Sequence, residues 1–422
     1  MSTHASPTFI RPLREAGVTF VLALIVFGPI SGLVLDGYSI EPHLGRPLLI
    51  ASIVAAGRLL FGVLEQTPFG QKLLARNARK ASGGVTVARG DEYKLLYFVV
   101  PLVIAIGVTL PFVANKYWLG NLILALIYVL LGLGLNIVVG LAGLLDLGFV
   151  AFYAVGAYFL ALGAQYLDIG FWTALVCAPM LAACFGAVLG FPVLRMHGDY
   201  LAIVTLGFGE IIRLVLNNWL DFTGGPNGAS VPAPTIFGLE FSRIAKQGGT
   251  PFHEFFGLEY SSDYKLMFTY LVLLVVVLLM VRFLTKLRQM PMGRAWEALR
   301  EDEIACRSLG INHVIVKLSA FMMGAMTGGL AGVFFATYQG FVNPTSFNFF
   351  ESALILAIVV LGGLGSTLGV IIAALVLTLL PEVLREFADY RVLAFGALMV
   401  LMMIWRPRGL IRPKRPHFAP EV

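Results

Sequence analysis

Apolar residues follow one another without a charged interruption over long stretches of the chain. The charge-free runs are residues 18–35, 95–115, 117–145, 147–167, 169–194, 266–281, 318–350, 352–381 and 392–405. A helix needs about 20 mostly apolar residues to cross the roughly 30 Å hydrocarbon core of a bilayer. Because backbone groups facing lipid must be hydrogen-bonded within their own segment, such runs form helices. The pattern predicts an all-α, polytopic membrane helical bundle.

The positive charges predict which loops lie in the cytoplasm, since cytoplasmic loops of membrane proteins collect Lys and Arg. They cluster at Arg11 and Arg14, in 72–94, at Arg195, in 286–317 and in 406–415. Placing all clusters inside gives roughly ten to twelve membrane segments. Residues 1–94 are then an N-terminal extension with two spans and a basic cytoplasmic loop, and 95–410 are the transmembrane domain. Within that domain 221–263 lie outside and 286–316 form a cytoplasmic loop, while 411–422 are a cytoplasmic tail.

The run 352–381 is long enough for two crossings. We predict a hairpin broken at the glycine-rich residues 362–366, because an odd number of crossings must separate an outside position near Phe341 from the basic tail. IVVGLAGLLDLG (137–148) is similar to IVVLGGLGSTLG (358–369), which indicates either an internal repeat or chance similarity between apolar segments. Both segments are predicted at the same face of the membrane.

Composition and motifs exclude several classes of protein. The mean hydropathy is +0.86 and 13% of residues are charged, so the net charge of +6 belongs to membrane-proximal loops and does not indicate nucleic-acid binding. There is no Gly-Lys-Ser/Thr phosphate loop, no G-x-S-x-G and no H-E-x-x-H. Cys177, Cys184 and Cys306 suggest no disulfide framework. We expect no enzymatic activity, no metal site and no cofactor bound by this chain.

One segment concentrates charge: GRAWEALREDEIACRSLGIN (293–312). We predict a single helix over 294–309, with Gly310 as its cap and Glu303 and Arg307 as an i,i+4 pair. It is either a solvated cytoplasmic loop or a docking helix for a soluble partner. The positive-inside tendency does not call for its acidic residues, which favours docking, and Trp296, Leu299 and Cys306 are then the candidate apolar contacts.

A few polar side chains fall within the predicted spans. Candidates for a translocation path are Asn136, Asp146, Tyr153, Glu210 and Arg213. An ionisable group inside a span is costly and faces protein or water. Glu210 and Arg213 are either a structural ion pair or part of the path. Asp146 is either a gate residue or a solvated turn at the interface, and Tyr153 serves the path or packing.

The segment 293–312 resembles the coupling helix of ABC importer permeases, with Glu297-Ala298-Leu299 and Glu303-Ile304-Ala305 as alternative matches to its E-A-A…G pattern. Further stretches resemble LivM-type permeases of high-affinity branched-chain amino acid transporters. They are LGLGLNIVVGLAGLLDLGFVAFYAVGAY (131–158), FPVLRMHGDYLAIVTLGFGEIIRLVLNN (191–218), TGGPNG (223–228), LAIVVLGGLGS (356–366) and MMIWRPRGL (402–410).

The resemblance implies an ABC importer permease in the bacterial inner membrane that carries Leu, Ile, Val or other apolar amino acids. Two cytoplasmic ATPase subunits holding ATP-Mg, a second related permease and a periplasmic binding protein would be its partners. The residues expected at the ATPases are Arg294, Trp296, Glu297, Ala298, Arg300, Glu301, Glu303, Arg307 and Gly310. The outside segment is either the docking surface for the binding protein or a solvated connector, and its docking candidates are Thr223, Gly224, Gly225, Pro226, Asn227 and Gly228.

The rival hypothesis is a self-sufficient, ion-coupled secondary amino acid transporter. Such a protein ordinarily has carboxylates for the coupling ion near the membrane midplane. Among the residues considered above only Glu210 fits that role, and Arg213 is close to it in sequence.

Overall fold

The structure is a computed structural model, and it describes part of the chain. The described residues are 17, 20, 33–36, 39–42, 48, 52, 107–112, 114–193, 196, 198–236, 238–242, 249–257, 261–383, 396, 400 and 409–411. The chain divides into two compact units, Met1–Phe98 and Val99–Val422. In the first, strands β1 (Leu33–Asp36) and β2 (Ser39–Pro42) form an antiparallel pair. The two spans predicted before residue 94 lie mostly outside the described residues.

The second unit is a helical bundle. Its helices are α1 (Lys116–Leu135), α2 (Val150–Tyr166), α3 (Phe171–Val193), α4 (Asp199–Asn218), α5 (Leu220–Thr223), α6 (Phe252–Phe256), α7 (Asp263–Leu287), α8 (Pro291–Glu301), α9 (Glu303–Ser308), α10 (His313–Gln339), α11 (Phe349–Gly362) and α12 (Thr367–Val383). Among the described residues, six helices are long and apolar enough to cross a membrane, and α2 and α12 are shorter apolar helices. The predicted all-α membrane bundle is confirmed.

Helix α10 lies at the centre of the bundle, where it packs against α1, α2 and α3. Its glycines allow the close approach that apolar packing in a membrane requires. A Cβ atom at Gly332 would collide with the backbone of Tyr153, and one at Gly324 would collide with Val138. The glycines of α10 therefore allow its neighbours to pack closely against it.

Two breaks in the helices meet at one end of the bundle. Helix α1 continues as a π-helix, Asn136–Leu141, before the chain leaves the helical path. Helices α11 and α12 form the predicted hairpin, whose turn at 363–366 contains Gly363 and Gly365 with positive φ. Gly365 N donates to Asn136 Oδ1 at 2.8 Å, so the two breaks lie at the same end of the bundle. Ile411 N donates to Gly362 O at 3.3 Å, which brings the start of the predicted tail to this end.

We call this the inner end, because α8 and α9 also lie there, and the opposite end the outer end. At the outer end, β3 (Ala229–Ser230) pairs with β7 (Phe341–Val342), which follows α10. Strands β4 (Thr235–Ile236), β5 (Leu239–Glu240) and β6 (Thr250–Pro251) form a small sheet in the connection between α5 and α7. The predicted outside segment thus forms a folded cap, because short strands satisfy backbone groups that no helix uses.

Candidate functional site

The charged segment forms two helices, and the prediction of one uninterrupted helix is wrong. Asp302 ends α8 in an extended conformation, and its side-chain Oδ1 accepts from Ile304 N at 2.8 Å and Ala305 N at 3.1 Å. An Asp that caps backbone N–H groups competes with continuation of the preceding helix. Gly310, with φ of 79°, follows the end of α9, so its predicted capping role is confirmed. We call residues 291–310, which contain α8 and α9, the helical pair.

The helical pair is fastened to the bundle by Trp296. This side chain is fully buried, and its Nε1 donates to Val316 O at 3.1 Å and to Ser319 Oγ at 3.0 Å on α10. Leu299 and Cys306 are buried as well. The prediction that these three side chains form an apolar contact surface for a partner is therefore wrong. The amphipathic pattern reflects packing of the pair on its own bundle.

Other residues of the pair remain available at the surface. Ile304 and Leu309 are 77% and 79% exposed, although the sequence pattern did not single them out as contacts. The exposed charged residues of the pair are Arg294, Arg300, Glu301, Asp302 and Arg307, and Ala298 is half-buried. This face combines charge with two large apolar side chains, the composition expected of a docking surface for a protein.

Ion pairs organise the acidic residues of the pair. Arg307 Nη2 lies 2.6 Å from Glu303 Oε1, which confirms the predicted i,i+4 pair. Lys317, whose side chain is 2% exposed, places Nζ 2.8 Å from the other oxygen of Glu303. Arg288 Nη2 lies 2.9 Å from Glu297 Oε1. Glu297 and Glu303 are thus engaged within the chain, and Glu303 neutralises a buried lysine that the sequence analysis did not consider.

Two arginines contact the broken helices: Arg300 belongs to α8, and Arg288 follows α7 and is ion-paired with Glu297 of α8. Arg300 Nη1 donates to Gly140 O in the π-helix, and Arg288 Nη1 donates to Gly365 O at 3.1 Å in the α11–α12 turn. The carbonyl groups at helix breaks lack partners within their own helices, so a guanidinium with several donors can bind them. A displacement of the pair therefore acts directly on both breaks.

The candidate path residues do not form one cluster. Asn136 is buried, and its Oδ1 accepts from Gly365 N at 2.8 Å. Tyr153 is buried, with its ring centroid 5.2 Å from those of both Phe335 and Phe347. Arg213 Nε donates to both oxygens of Glu210 at 3.0 Å, so this pair forms as the spacing predicted. It lies on the open side of α4, where side-chain exposure is 29% for Arg213 and 44% for Glu210.

Asp146 lies in the connection between the π-helix and α2 and is completely buried. Its Oδ1 accepts from Gly148 N at 2.9 Å, whereas its Oδ2 has no hydrogen bond within the described part of the chain. Burial raises the pKa of this carboxyl to about 7. The solvated turn considered for Asp146 is wrong, because the neighbouring helices enclose it.

Sequence reasoning missed Glu351, which is partly buried in the first turn of α11. Tyr128 Oη donates to Glu351 Oε2 at 2.6 Å. A signal was present in the sequence, because Glu351 alone separates the charge-free runs 318–350 and 352–381. An ionisable residue that interrupts such a run is a functional candidate.

The TGGPNG turn closes the outer end of α4. Thr223 is buried, and its hydroxyl donates to Leu216 O at 2.6 Å. Gly224, Gly225 and Gly228 have positive φ. Of the six predicted docking residues, only Pro226 and Asn227 are exposed. The remaining residues shape the turn that presents these two.

Comparison with known proteins identifies relatives along most of the second unit. The family described as "Branched-chain amino acid transport system / permease component" matches residues 117–405. The high-affinity branched-chain amino acid transport system permease protein LivM of Escherichia coli (strain K12) is 54% identical over 330 residues, 78% of this chain and 77% of that protein. LivM of Salmonella typhimurium (strain LT2) is 53% identical over 330 residues, which are 78% of this chain and 77% of that protein. The LivH permease protein of Escherichia coli (strain K12) is 24% identical over 301 residues, 68% of this chain and 92% of that protein. No solved structure gives a significant match.

Proposed function

Because the chain belongs to the branched-chain amino acid transport system permease family, we propose that it is the membrane-spanning subunit of an ATP-driven importer. Its substrates are branched-chain amino acids, as the names of its LivM relatives suggest. It works in the bacterial inner membrane with a second permease subunit, two ATPase subunits and a binding protein. The ATP-Mg belongs to the ATPases, since no phosphate loop is present in this sequence.

The main structural support for the proposal is the attachment of the helical pair to the bundle. The pair presents Ile304 and Leu309 together with charged residues, and it is bound through Trp296 to α10. Arg300 of the pair contacts one break, and Arg288, which is ion-paired with Glu297 of the pair, contacts the other, so an ATPase would have a mechanical route into the bundle. Closure of the ATPases would move the pair, and the π-helix and the α11–α12 turn would move with it.

The partner permease would cover the open side of α4. Glu210 and Arg213 lie there, and exposure of an ion pair to lipid is unfavourable, so water or another protein must face them. The similarity of this chain to proteins named LivM and LivH in one organism supports a pair of related subunits. Pro226 and Asn227 are exposed at the outer end, where they would contact the binding protein.

Reconstitution into liposomes tests the proposal. The chain, its companion permease, the ATPases and the binding protein should accumulate leucine only with hydrolysable ATP. The double variant Arg288→Gln/Arg300→Gln should keep the complex assembled and its ATP hydrolysis active, while uptake falls by about tenfold or more, because the link to the breaks is lost. Arg282→Gln, which changes an exposed arginine of α7, is the matched control.

Two results would contradict the proposal. Leucine uptake by this chain alone under a sodium or proton gradient would instead identify a secondary transporter. Normal uptake by the double variant would show that coupling does not pass through Arg288 and Arg300.

A further inference from the structure

The carboxylate of Glu351 has an incomplete set of partners. Tyr128 Oη donates to one oxygen at 2.6 Å. Within the described residues the other oxygen accepts no hydrogen bond, and no cationic side chain pairs with the carboxylate. The neighbouring Ser352 is buried and accepts from Val150 N at 3.1 Å, so it is engaged elsewhere.

A carboxyl group at this position requires an explanation beyond its hydrogen bond with Tyr128. An ionised carboxylate in an apolar span is costly unless it is paired or hydrated. The short bond from Tyr128 stabilises the carboxylate but does not neutralise it. A neutral glutamine would accept the same hydrogen bond at a smaller desolvation cost. The described residues offer this carboxylate no cationic partner, so it is suited to a cation that a bound molecule supplies.

Aromatic side chains lie close to the first turn of α11. The bond from Val150 N to Ser352 Oγ places the first turn of α11 beside α2, the helix that carries Tyr153. Its ring packs on Phe335 and Phe347, with centroid distances of 5.2 Å in each case. Aromatic rings present apolar surface to aliphatic groups and attract cations over their faces. A carboxylate beside such rings matches the chemistry of an ammonium group that carries an aliphatic side chain.

The position of Glu351 in the fold is suitable for receiving a substrate from outside. It lies in the first turn of α11, which follows β7 and the turn Pro344–Ser346 at the outer end. The TGGPNG turn packs at the same end through the β3–β7 pair. A molecule released at the outer cap would meet this region before it reached the inner breaks.

We propose that Glu351 binds the ammonium group of the amino acid substrate in the translocation path and that Tyr128 orients the carboxylate. The rings of Tyr153, Phe335 and Phe347 contact the aliphatic side chain of the substrate. This inference rests on the proposed transport function and deepens it. The permease itself, in addition to the binding protein, then discriminates amino acids from neutral and acidic molecules of similar shape.

The test uses the complete reconstituted importer. Glu351→Gln keeps an acceptor for Tyr128 and removes the charge, so leucine uptake should fall by about tenfold or more while complex assembly, binding of leucine to the binding protein and basal ATP hydrolysis stay unchanged. Tyr128→Phe should reduce uptake by about two- to threefold, because the carboxylate remains but loses its orienting bond. Asp168→Asn removes a carboxylate from an exposed outer connection and should transport normally.

A second measurement uses the unaltered protein and does not depend on folding of a variant. A hydrophobic carbodiimide should modify Glu351, and leucine should protect it, as read from the mass of the peptide containing this residue. If leucine does not change the extent of modification of Glu351, the proposal is overturned. The same result is expected if a cationic side chain of the second permease, and not the substrate, pairs with Glu351. Uptake by Glu351→Gln equal to that of Asp168→Asn would overturn it too, with the transport function standing. Failure of the unaltered complex to import leucine would refute the transport function itself.

Discussion

Asn136 and Gly365 lie 229 positions apart in the chain, and the amide of Gly365 donates to the side-chain oxygen of Asn136 at 2.8 Å. The bond joins the π-helix to the α11–α12 turn. Both groups are buried, so no water replaces either partner without rearrangement. A polar bond thus holds together the two breaks that Arg288 and Arg300 contact.

Removing this bond should destabilise the bundle. Asn136→Leu leaves the amide of Gly365 buried without a partner, at a cost of about 1–3 kcal/mol. The thermal unfolding temperature of the purified protein in detergent should fall accordingly. Thr337→Val is the control, since the hydroxyl of Thr337 donates to Val333 O within its own helix, α10, and joins no two segments among the described residues. Equal melting of both variants would show that the bond contributes nothing measurable.

Substitutions of Glu303 and of Arg307 should lower the stability of the protein by different amounts, although the two residues form one ion pair. Arg307 is the more exposed partner, at 46%, so Arg307→Ala should cost less than about 1 kcal/mol. Glu303→Gln leaves Lys317 buried without its counter-charge, which should cost about 3 kcal/mol or more. Thermal unfolding in detergent measures both effects.

The double variant Glu303→Gln/Lys317→Met separates these contributions. It removes the buried charge along with its partner, so it should recover most of the stability lost in Glu303→Gln. A double variant as unstable as the single one would show that Lys317 does not depend on Glu303.

The exposed apolar side chains of the helical pair should control binding of the ATPase. Ile304→Ser and Leu309→Ser together should weaken co-purification of the ATPase subunits, because apolar contact area is lost, while insertion and thermal stability remain unchanged. Leu167→Ser, at a 71% exposed position after α2, is the control for a general loss of apolar surface. Undiminished co-purification would place the docking surface elsewhere.

Asp146 should make stability depend on pH. Its folded-state pKa of about 7 lies above the ordinary value of 3.8, so the folded state holds a proton that the unfolded state has released between these values. Stability therefore falls as the pH rises through this window and levels off above about 7. Asp146→Asn should lack this fall, so the difference in unfolding temperature between the variant and the unaltered protein should change from about pH 5 to 7. Parallel curves would indicate that Asp146 does not titrate in the folded state.

Several features followed from the sequence because local patterns control them. Charge-free runs specify membrane helices through the cost of exposing polar groups to lipid. The glycines at 362–366 predicted the hairpin turn, and the spacing of Glu303 and Arg307 predicted their pair. The resemblance in 131–158 and 191–218 indicated the family that the comparisons establish.

Other features depended on partners distant in the chain. Trp296 has the same place in an amphipathic helix whether it meets an ATPase or α10, and only tertiary packing shows that it is buried. Glu351 appeared as one interruption in an apolar run until Tyr128 was found beside it. The sequence by itself determined a membrane bundle with a charged surface element, since hydropathy acts segment by segment. Tertiary structure decided which polar groups face each other, because hydrogen bonds and ion pairs form between segments whose proximity no local pattern encodes.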